Sequence, residues 1–241
     1  MTTGAPPDRR GQHRARVERI FDHNADTRSL FLAPEGGKRL HFIPGQFISI
    51  SIPLGDETRT RAYSIASSPD EPGPIEICFN RVPGGRGVDW LFSRAVGDSI
   101  EFAGPFGTFT LDQAPAAEAV FIAEGTAIAP IRPMLKRVLA GPARPAIHLL
   151  YGAPDDTHIL YRDELEAPAR DSSNVSFEAV IMPQDALYDR IREVVESRWV
   201  KRDADRNRSF FICGVGDGVI KLRDLLRTAG YDRRAVHYEK W

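Results

Sequence analysis

The hydrophobic period of this chain changes near residue 112, and that change divides what it can fold into. Before it, short runs at 17–21, 29–32, 46–52, 61–65, 75–81 and 99–102 are rich in β-branched and aromatic residues. Several alternate, as Ile48, Ile50 and Ile52 do against Phe47, Ser49 and Ser51. Pro, Gly and Asp separate the runs, so the first part reads as a six-stranded antiparallel β-barrel with one helix at 88–94. Beyond residue 117 apolar runs at 119–123, 146–151, 175–181, 210–213 and 236–238 alternate with helix-spaced segments. These are 128–140, 161–167, a stripe of Leu187, Ile191, Val194 and Val195, and 219–226. Alternation of this kind predicts an α/β domain with a parallel five-stranded sheet and ligands at the carboxyl ends of its strands. The expected division is a flexible N-terminus over 1–12, a barrel over 13–111, a linker over 112–117 and the α/β domain over 118–241.

Charge and cysteine content narrow the function. With 32 basic against 33 acidic side chains the chain lacks the footprint that nucleic acid or an anionic membrane selects. Two cysteines, Cys78 and Cys213, are too few to ligate an iron–sulfur cluster or a four-cysteine zinc site, or to build a disulfide framework. The six histidines form no ligand-spaced pair on a common helix, so no metal site is expected. No apolar run approaches the roughly 20 residues of a spanning helix, and a soluble, cytoplasmic protein is the expectation.

Three segments carry chemistry. Arg61-Ala62-Tyr63-Ser64 places a fixed cation, a flat ring and a small hydroxyl on a strand, a set suited to a flavin nucleotide; taken alone it is equally a barrel strand with a packed tyrosine. Gly84-Gly85-Arg86-Gly87 opens a helix, where unobstructed N–H groups and the helix dipole favour a pyrophosphate. Gly125-Thr126-Ala127-Ile128-Ala129-Pro130 follows the first strand of the second half and opens a helix in the manner of a dinucleotide-binding turn, although it lacks the usual G-x-G-x-x-G. Glycine-rich turns are common, and each of these segments also has an ordinary structural account.

In order and spacing these segments resemble the ferredoxin–NADP reductase superfamily. Pro44-Gly45-Gln46-Phe47 is similar to its P-G-Q-F, and Arg61-Ala62-Tyr63-Ser64 matches its R-x-Y-S flavin motif. Gly104-Pro105-Phe106-Gly107 resembles the G-P-x-G turn, 125–130 the G-T-G-I-A-P nucleotide motif, Tyr151-Gly152 a Y-G pair, and Cys213-Gly214 the C-G pair. The resemblance spans roughly 17–241. It implies FAD and a nicotinamide nucleotide as cofactors, with Arg61 on the flavin phosphate, Tyr63 stacked on the isoalloxazine and Ser64 near flavin N5. It also implies a phosphate loop of Gly85, Arg86, Gly87 and Val88, and a nucleotide site of Gly125, Thr126, Ala127, Pro130, Tyr151, Gly152, Asp155, Cys213 and Gly214. Ser64, Cys213 and Glu239 are the expected catalytic group, positioning hydride transfer rather than acting as nucleophiles. The ending Glu239-Lys240-Trp241 resembles reductases with a glutamate two residues before a terminal aromatic, which makes Trp241 a candidate shield over the flavin.

The departures are specific. Val88 stands where the family usually has a serine or threonine, Ala127 replaces a glycine of the nucleotide loop, and Glu124 replaces a small residue beside a pyrophosphate site. The expected function is an NAD(P)H-dependent reductase passing electrons to a ferredoxin, an oxygenase component, a haem protein or a small acceptor. A flavin-binding sensor with little turnover is the alternative. Asp155 and Asp156 after the second strand of the α/β domain would repel a 2′-phosphate and accept ribose hydroxyls, so NADH is preferred over NADPH; both could instead cap the following helical turn, and Arg162 could turn toward the phosphate.

Overall fold

The computed structural model describes residues 11–37, 39–141, 145–202 and 204–241. Strands β1 (Gln12–Asp22), β2 (Thr27–Pro34), β3 (Phe47–Leu54), β4 (Glu57–Ser64), β5 (Ile75–Asn80) and β6 (Ser99–Phe106) form one antiparallel sheet in the order β4-β3-β6-β1-β2-β5. A bridge between Ile65 and Ile77 joins the end of β4 to β5 and curls the sheet into the expected barrel. Alternation sends Ile48, Ile50 and Ile52 inward, with Val17, Leu30, Leu32, Ile77 and Phe102. Helix α1 (Arg86–Phe92) adds Val88 and Leu91 to that core. Val88 is therefore largely a core residue, and it brings no hydroxyl to the start of this helix. The flexible segment expected over 1–12 lies outside the described residues as far as residue 10; Gln12 already pairs with Ala103.

The second half runs β7 (Glu118–Glu124), α2 (Ile128–Ala140), β8 (Ile147–Ala153), α3 (Arg162–Asp171), β9 (Val175–Ile181), α4 (Gln184–Val195), β10 (Arg208–Gly214), α5 (Asp217–Thr228) and β11 (Val236–Lys240). Its five strands are parallel in the order β11-β10-β7-β8-β9. Phe121, Leu149 and Phe211 pack under α2 and α3, whereas Val120, Ile122, Phe210 and Ile212 pack under α4 and α5. Helices on both faces leave no polar side to these strands, which explains their continuous apolar runs. The chain builds outward from β7 in one direction and then returns to its other side at β10. The switch point of the sheet thus lies between the loops that follow β7 and β10.

Barrel and sheet share a core, because the cluster under α2 and α3 continues into Ala66, Cys78, Phe109 and Leu111. Polar contacts join them as well. Arg132 of α2 reaches Glu76 of β5. In the turn after β8, His158 lies 2.8 Å from Asp155 through Nδ1 and 3.2 Å from Asp26 of the barrel through Nε2, while the Asn24 amide donates to the Thr157 carbonyl at 3.0 Å. Among the described residues no helix is long and apolar enough to cross a membrane.

The His158 contact carries a pH signature. Burial works against the imidazolium, but the Asp155 and Asp26 carboxylates outweigh it and hold His158 above its ordinary value. A raised folded-state value means stabilisation that is complete below the unfolded value of about 6.5 and fades as pH rises through the folded one. His23, His148 and His237 are displaced the other way by burial, so their contribution is lost as pH falls. The melting-temperature gap between wild type and His158→Gln is therefore expected to be about 1–3 °C near about pH 6 and to close by about pH 8.5. A gap equal at both pH values would show that the pairing is not ionic.

Candidate functional site

Barrel and sheet meet at a cavity of about 460 Å³. The barrel supplies Phe47, Ala62, Tyr63, Ser64, Cys78, Phe79, Asn80 and Val88, and the strand ends of the sheet supply Thr126, Glu239, Lys240 and Trp241. Tyr63 is held edge-on against Phe79, ring centroids 5.8 Å apart. Burial pushes its phenol up to about 12 despite the neighbouring Arg61, so the ring stays neutral. Ser64 ends β4 and is buried. Arg61 stands on the exposed edge strand, one Nη1–H donating to the Thr60 carbonyl at 2.9 Å. The first turn of α1 passes beside it. A Cβ on Gly87 would lie 3.3 Å from Ile52 Cδ1 and 3.7 Å from Arg61 Cγ, so glycine lets this helix start come up against the arginine stem. Gly85 caps that helix, and Arg86 is exposed beside it.

The opposite wall is the C-terminus. Because β11 lies parallel to β10, Cys213 stands opposite Glu239. The Trp241 backbone N–H donates to the Gly214 carbonyl at 3.0 Å and its carbonyl accepts from Gly216 N–H at 3.2 Å, which pins the terminal residue to the switch point. The indole Nε1–H donates to Glu239 Oε2 at 3.2 Å. Burial raises the Glu239 carboxyl above its ordinary range. Burial, then the charges of Glu239 and Glu124, pushes the Cys213 thiol well above its ordinary value. Cys213 is a neutral thiol behind Glu239 and does not line the cavity.

A second cavity of about 230 Å³ opens at the carboxyl ends of β7 and β8, between Glu124, Gly125, Thr126, Gly152 and Pro154 on one side and Asp26, Thr27 and Asn80 on the other. Gly125 adopts φ +52 with nothing within 4 Å of the place a Cβ would occupy, so the turn is open on its outer side. The Thr126 hydroxyl donates to the Asn80 side-chain oxygen at 3.1 Å, and both residues line both cavities, so the two spaces adjoin across this shared wall. Glu124 leans against Gly214 and accepts the Val215 N–H; burial raises its carboxyl nonetheless. Its charge is directed toward the loop after β10.

The remaining expected residues act at one remove. Tyr151 is fully buried, and its hydroxyl donates to the Gly125 carbonyl at 2.9 Å, bracing the turn from beneath. Gly152 serves packing as well as the cavity wall, since a Cβ there would lie 2.9 Å from Ile191 Cδ1 and 3.0 Å from Leu187 Cδ1 of α4. Gly214 is tight in the same way, 3.1 Å from Val219 Cγ2. Ala127 and Pro130 are buried at the start of α2. Asp155 caps the turn after β8, accepting from Thr157 N–H at 2.9 Å, and its contacts with His158 and Thr157 lower its carboxyl to about 2. Asp156 is paired with Arg162, which also donates to Glu166 at 2.7 Å.

Sequence reasoning missed Phe47, Cys78, Phe79 and Asn80 as cavity residues. The signal was present, because residues 75–81 read as a strand, and a period of two puts Cys78 and Asn80 on the same face as Glu76. Arg132 gave no signal at all: in a helix pattern it is one more basic residue.

The cavity beside Tyr63 is walled by aromatic rings, with Arg61 exposed two residues along β4 and the α1 start next to that arginine, an arrangement that suits an isoalloxazine with its phosphates outside. The strand-end cavity offers the open backbone of the Gly125 turn to part of a nicotinamide nucleotide. A family model described as an oxidoreductase FAD-binding domain matches residues 14–111, and one described as an oxidoreductase NAD-binding domain matches 121–221. Ferredoxin–NADP reductase B of Sorangium cellulosum (strain So ce56) is 33% identical over 235 residues, covering 94% of this chain and 96% of that protein. The toluate 1,2-dioxygenase electron transfer component of Pseudomonas putida is 29% identical over 230 residues, covering 95% of this chain and 67% of its own length. Among solved structures, the Amycolatopsis cytochrome P450 reductase GcoB superposes with a TM-score of 0.81 at 26% identity, covering 95% of this chain and 69% of that one. The chain belongs to the ferredoxin–NADP reductase superfamily and is an NAD(P)H-dependent flavoprotein reductase that uses FAD.

Proposed function

We propose that this reductase draws its hydride from NADH and delivers electrons in the cytoplasm to a separate acceptor protein, an oxygenase component, a ferredoxin or a haem protein. The observation that carries the reading is the junction at Thr126 and Asn80, where the strand-end cavity adjoins the cavity beside Tyr63 across a wall the two residues share. When bound, FAD supplies the chemistry, accepting a hydride and giving up electrons singly. The chain's own residues bind, orient and exclude water. Arg61 pairs with flavin phosphate beside the backbone of Gly85, Arg86, Gly87 and Val88, Tyr63 stacks on the ring, and Ser64 and Glu239 set the polarity at the reacting edge. Gly125 and Thr126 take the nucleotide diphosphate on open backbone, with Tyr151 holding that turn in place. Trp241 covers the ring until a nicotinamide displaces it. Both cysteines are free and buried, so any one-electron relay beyond the flavin is a different polypeptide, another part of a longer one, or a diffusible small acceptor.

Purified protein is expected to carry flavin absorbance that bleaches anaerobically on adding NADH. Protein without that absorbance, or flavin that neither nucleotide reduces, would overturn the assignment. Removing Trp241 should raise nucleotide occupancy over the flavin and change the long-wavelength charge-transfer absorbance; unchanged binding and hydride transfer would take the indole out of the site.

The preference for NADH rests on Asp155 and Asp156. Both are engaged, one as a cap and one with Arg162, yet both follow directly on Pro154 of the strand-end cavity, where their carboxylates would repel a 2′-phosphate, and Arg162 is paired with Asp156 and Glu166. A larger kcat/KM for NADH than for NADPH is expected with an artificial acceptor, and Asp155→Ser with Asp156→Arg should move the ratio toward NADPH. The reverse order in the wild type would remove the preference.

A further inference from the structure

We infer that Arg132 is a positioning residue for hydride transfer, a single guanidinium that holds the wall of the flavin cavity and the nucleotide turn in register. The inference rests on the reductase reading above. Arg132 lies about one turn into α2, which begins immediately after the turn of Gly125, Thr126 and Ala127. It is 9% exposed. Its Nη1–H groups donate to Glu76 Oε2 at 2.7 Å and to the Ala66 carbonyl at 2.9 Å, both in the barrel. On its other side Nε and Nη2 form a two-pronged pair with Glu164 of α3, at 2.7 and 2.6 Å.

The barrel acceptors are well placed to transmit position. Ala66 is two residues beyond Ser64, and Glu76 is two residues before Cys78 on the same face of β5; Ser64 and Cys78 both line the flavin cavity. Glu76 is 3% exposed, and its other oxygen accepts from the Ser29 hydroxyl and from the Tyr161 hydroxyl, each at 2.7 Å. Tyr161 reaches it from the start of α3 with φ +56, the only positive φ at a non-glycine among the described residues. Its ring lies 4.2 Å from the Arg132 guanidinium carbon. A side chain so fixed on three sides leaves α2, and the nucleotide turn at its start, little freedom to shift against β4 and β5. Hydride transfer needs donor and acceptor at about 3–3.5 Å, and a misplacement of about 1 Å costs about 100-fold. Arg132 lines neither of the two cavities assigned to the cofactors, so its part is to set that distance.

Lysine preserves the charge but not the planar fork, and it cannot serve Glu76, Ala66 and Glu164 in their present directions. The test compares wild type, Arg132→Lys, and the paired variant Glu76→Gln with Arg132→Gln, which removes both buried charges together and so protects the fold. Each holoprotein is mixed anaerobically with NADH in single-turnover experiments across nucleotide concentration. The expected result is a limiting rate of flavin reduction lowered about tenfold or more in both variants, with half-saturation changed less than about threefold. Flavin content should be unchanged, and the charge-transfer absorbance of the reduced protein with NAD should be weakened. Wild-type limiting rate and charge-transfer absorbance in the paired variant would overturn the inference, as would a loss confined to half-saturation. Should Arg132→Lys lose its flavin or fold, the paired variant decides alone. Reduction of the wild type by NADH reads the proposed function separately, whatever the variants do.

Discussion

The two halves of this protein are tied by a charge pair that neither half could bury by itself. Glu76 and Arg132 are almost out of water, and removing Arg132 would strand the Glu76 carboxylate, a defect typically worth about 3–5 kcal/mol. Such pairs add little net stability over a well-packed apolar contact, since desolvation offsets much of the attraction. What they impose is geometry. Apolar contacts among Ala66, Cys78, Phe109 and the α2 face could slide, whereas the Arg132 fork accepts few arrangements. The relation between the Tyr63 cavity and the turn at Gly125 follows from that restriction.

A parallel sheet supplies the other constraint. All five strands deliver their carboxyl ends to one rim, so the loops after β7 and β10 and the terminal residues after β11 converge on the same side without any further device. The convergence crowds Glu124, Cys213 and Glu239 together, and burial shifts all three toward their protonated forms. Three groups whose charged forms burial disfavours thus share the rim that a diphosphate must approach. Burial also accounts for how Glu124 is tolerated in a position where a small residue is usual: its carboxyl is turned into the gap beside Gly214.

The cysteines illustrate how placement decides chemistry. A thiol becomes a nucleophile or metal ligand as its thiolate, and thiolates form where positive charge and water are near. Cys78 is pushed up to about 12 by burial and Cys213 well above its ordinary value, so both remain small neutral side chains. Cys78 shapes the flavin cavity from beneath and Cys213 backs Glu239. Neither offers a route for single electrons.

The parts legible in the sequence were those whose signal is local. Alternation along Phe47 to Ile52, the apolar runs of β7 and β8, and the glycines ahead of α1 and α2 each state their own structure, because a strand face or a helix start is decided by a few neighbours. Tyr151 and Gly152 were legible as a pair but not in their division of labour: one buries a hydroxyl to brace Gly125, and the other admits Leu187 and Ile191, both of which depend on elements distant in sequence. Asp155 was ambiguous for the same reason, since a carboxylate at a helical turn reads equally as a cap or a ribose acceptor until His158 is seen beside it. Arg132 and Glu76 are 56 residues apart in the chain, and nothing near either one announces the other. Pairings across a domain junction have no period, and the residues that hold the two cavities in register are the ones sequence pattern is least able to show.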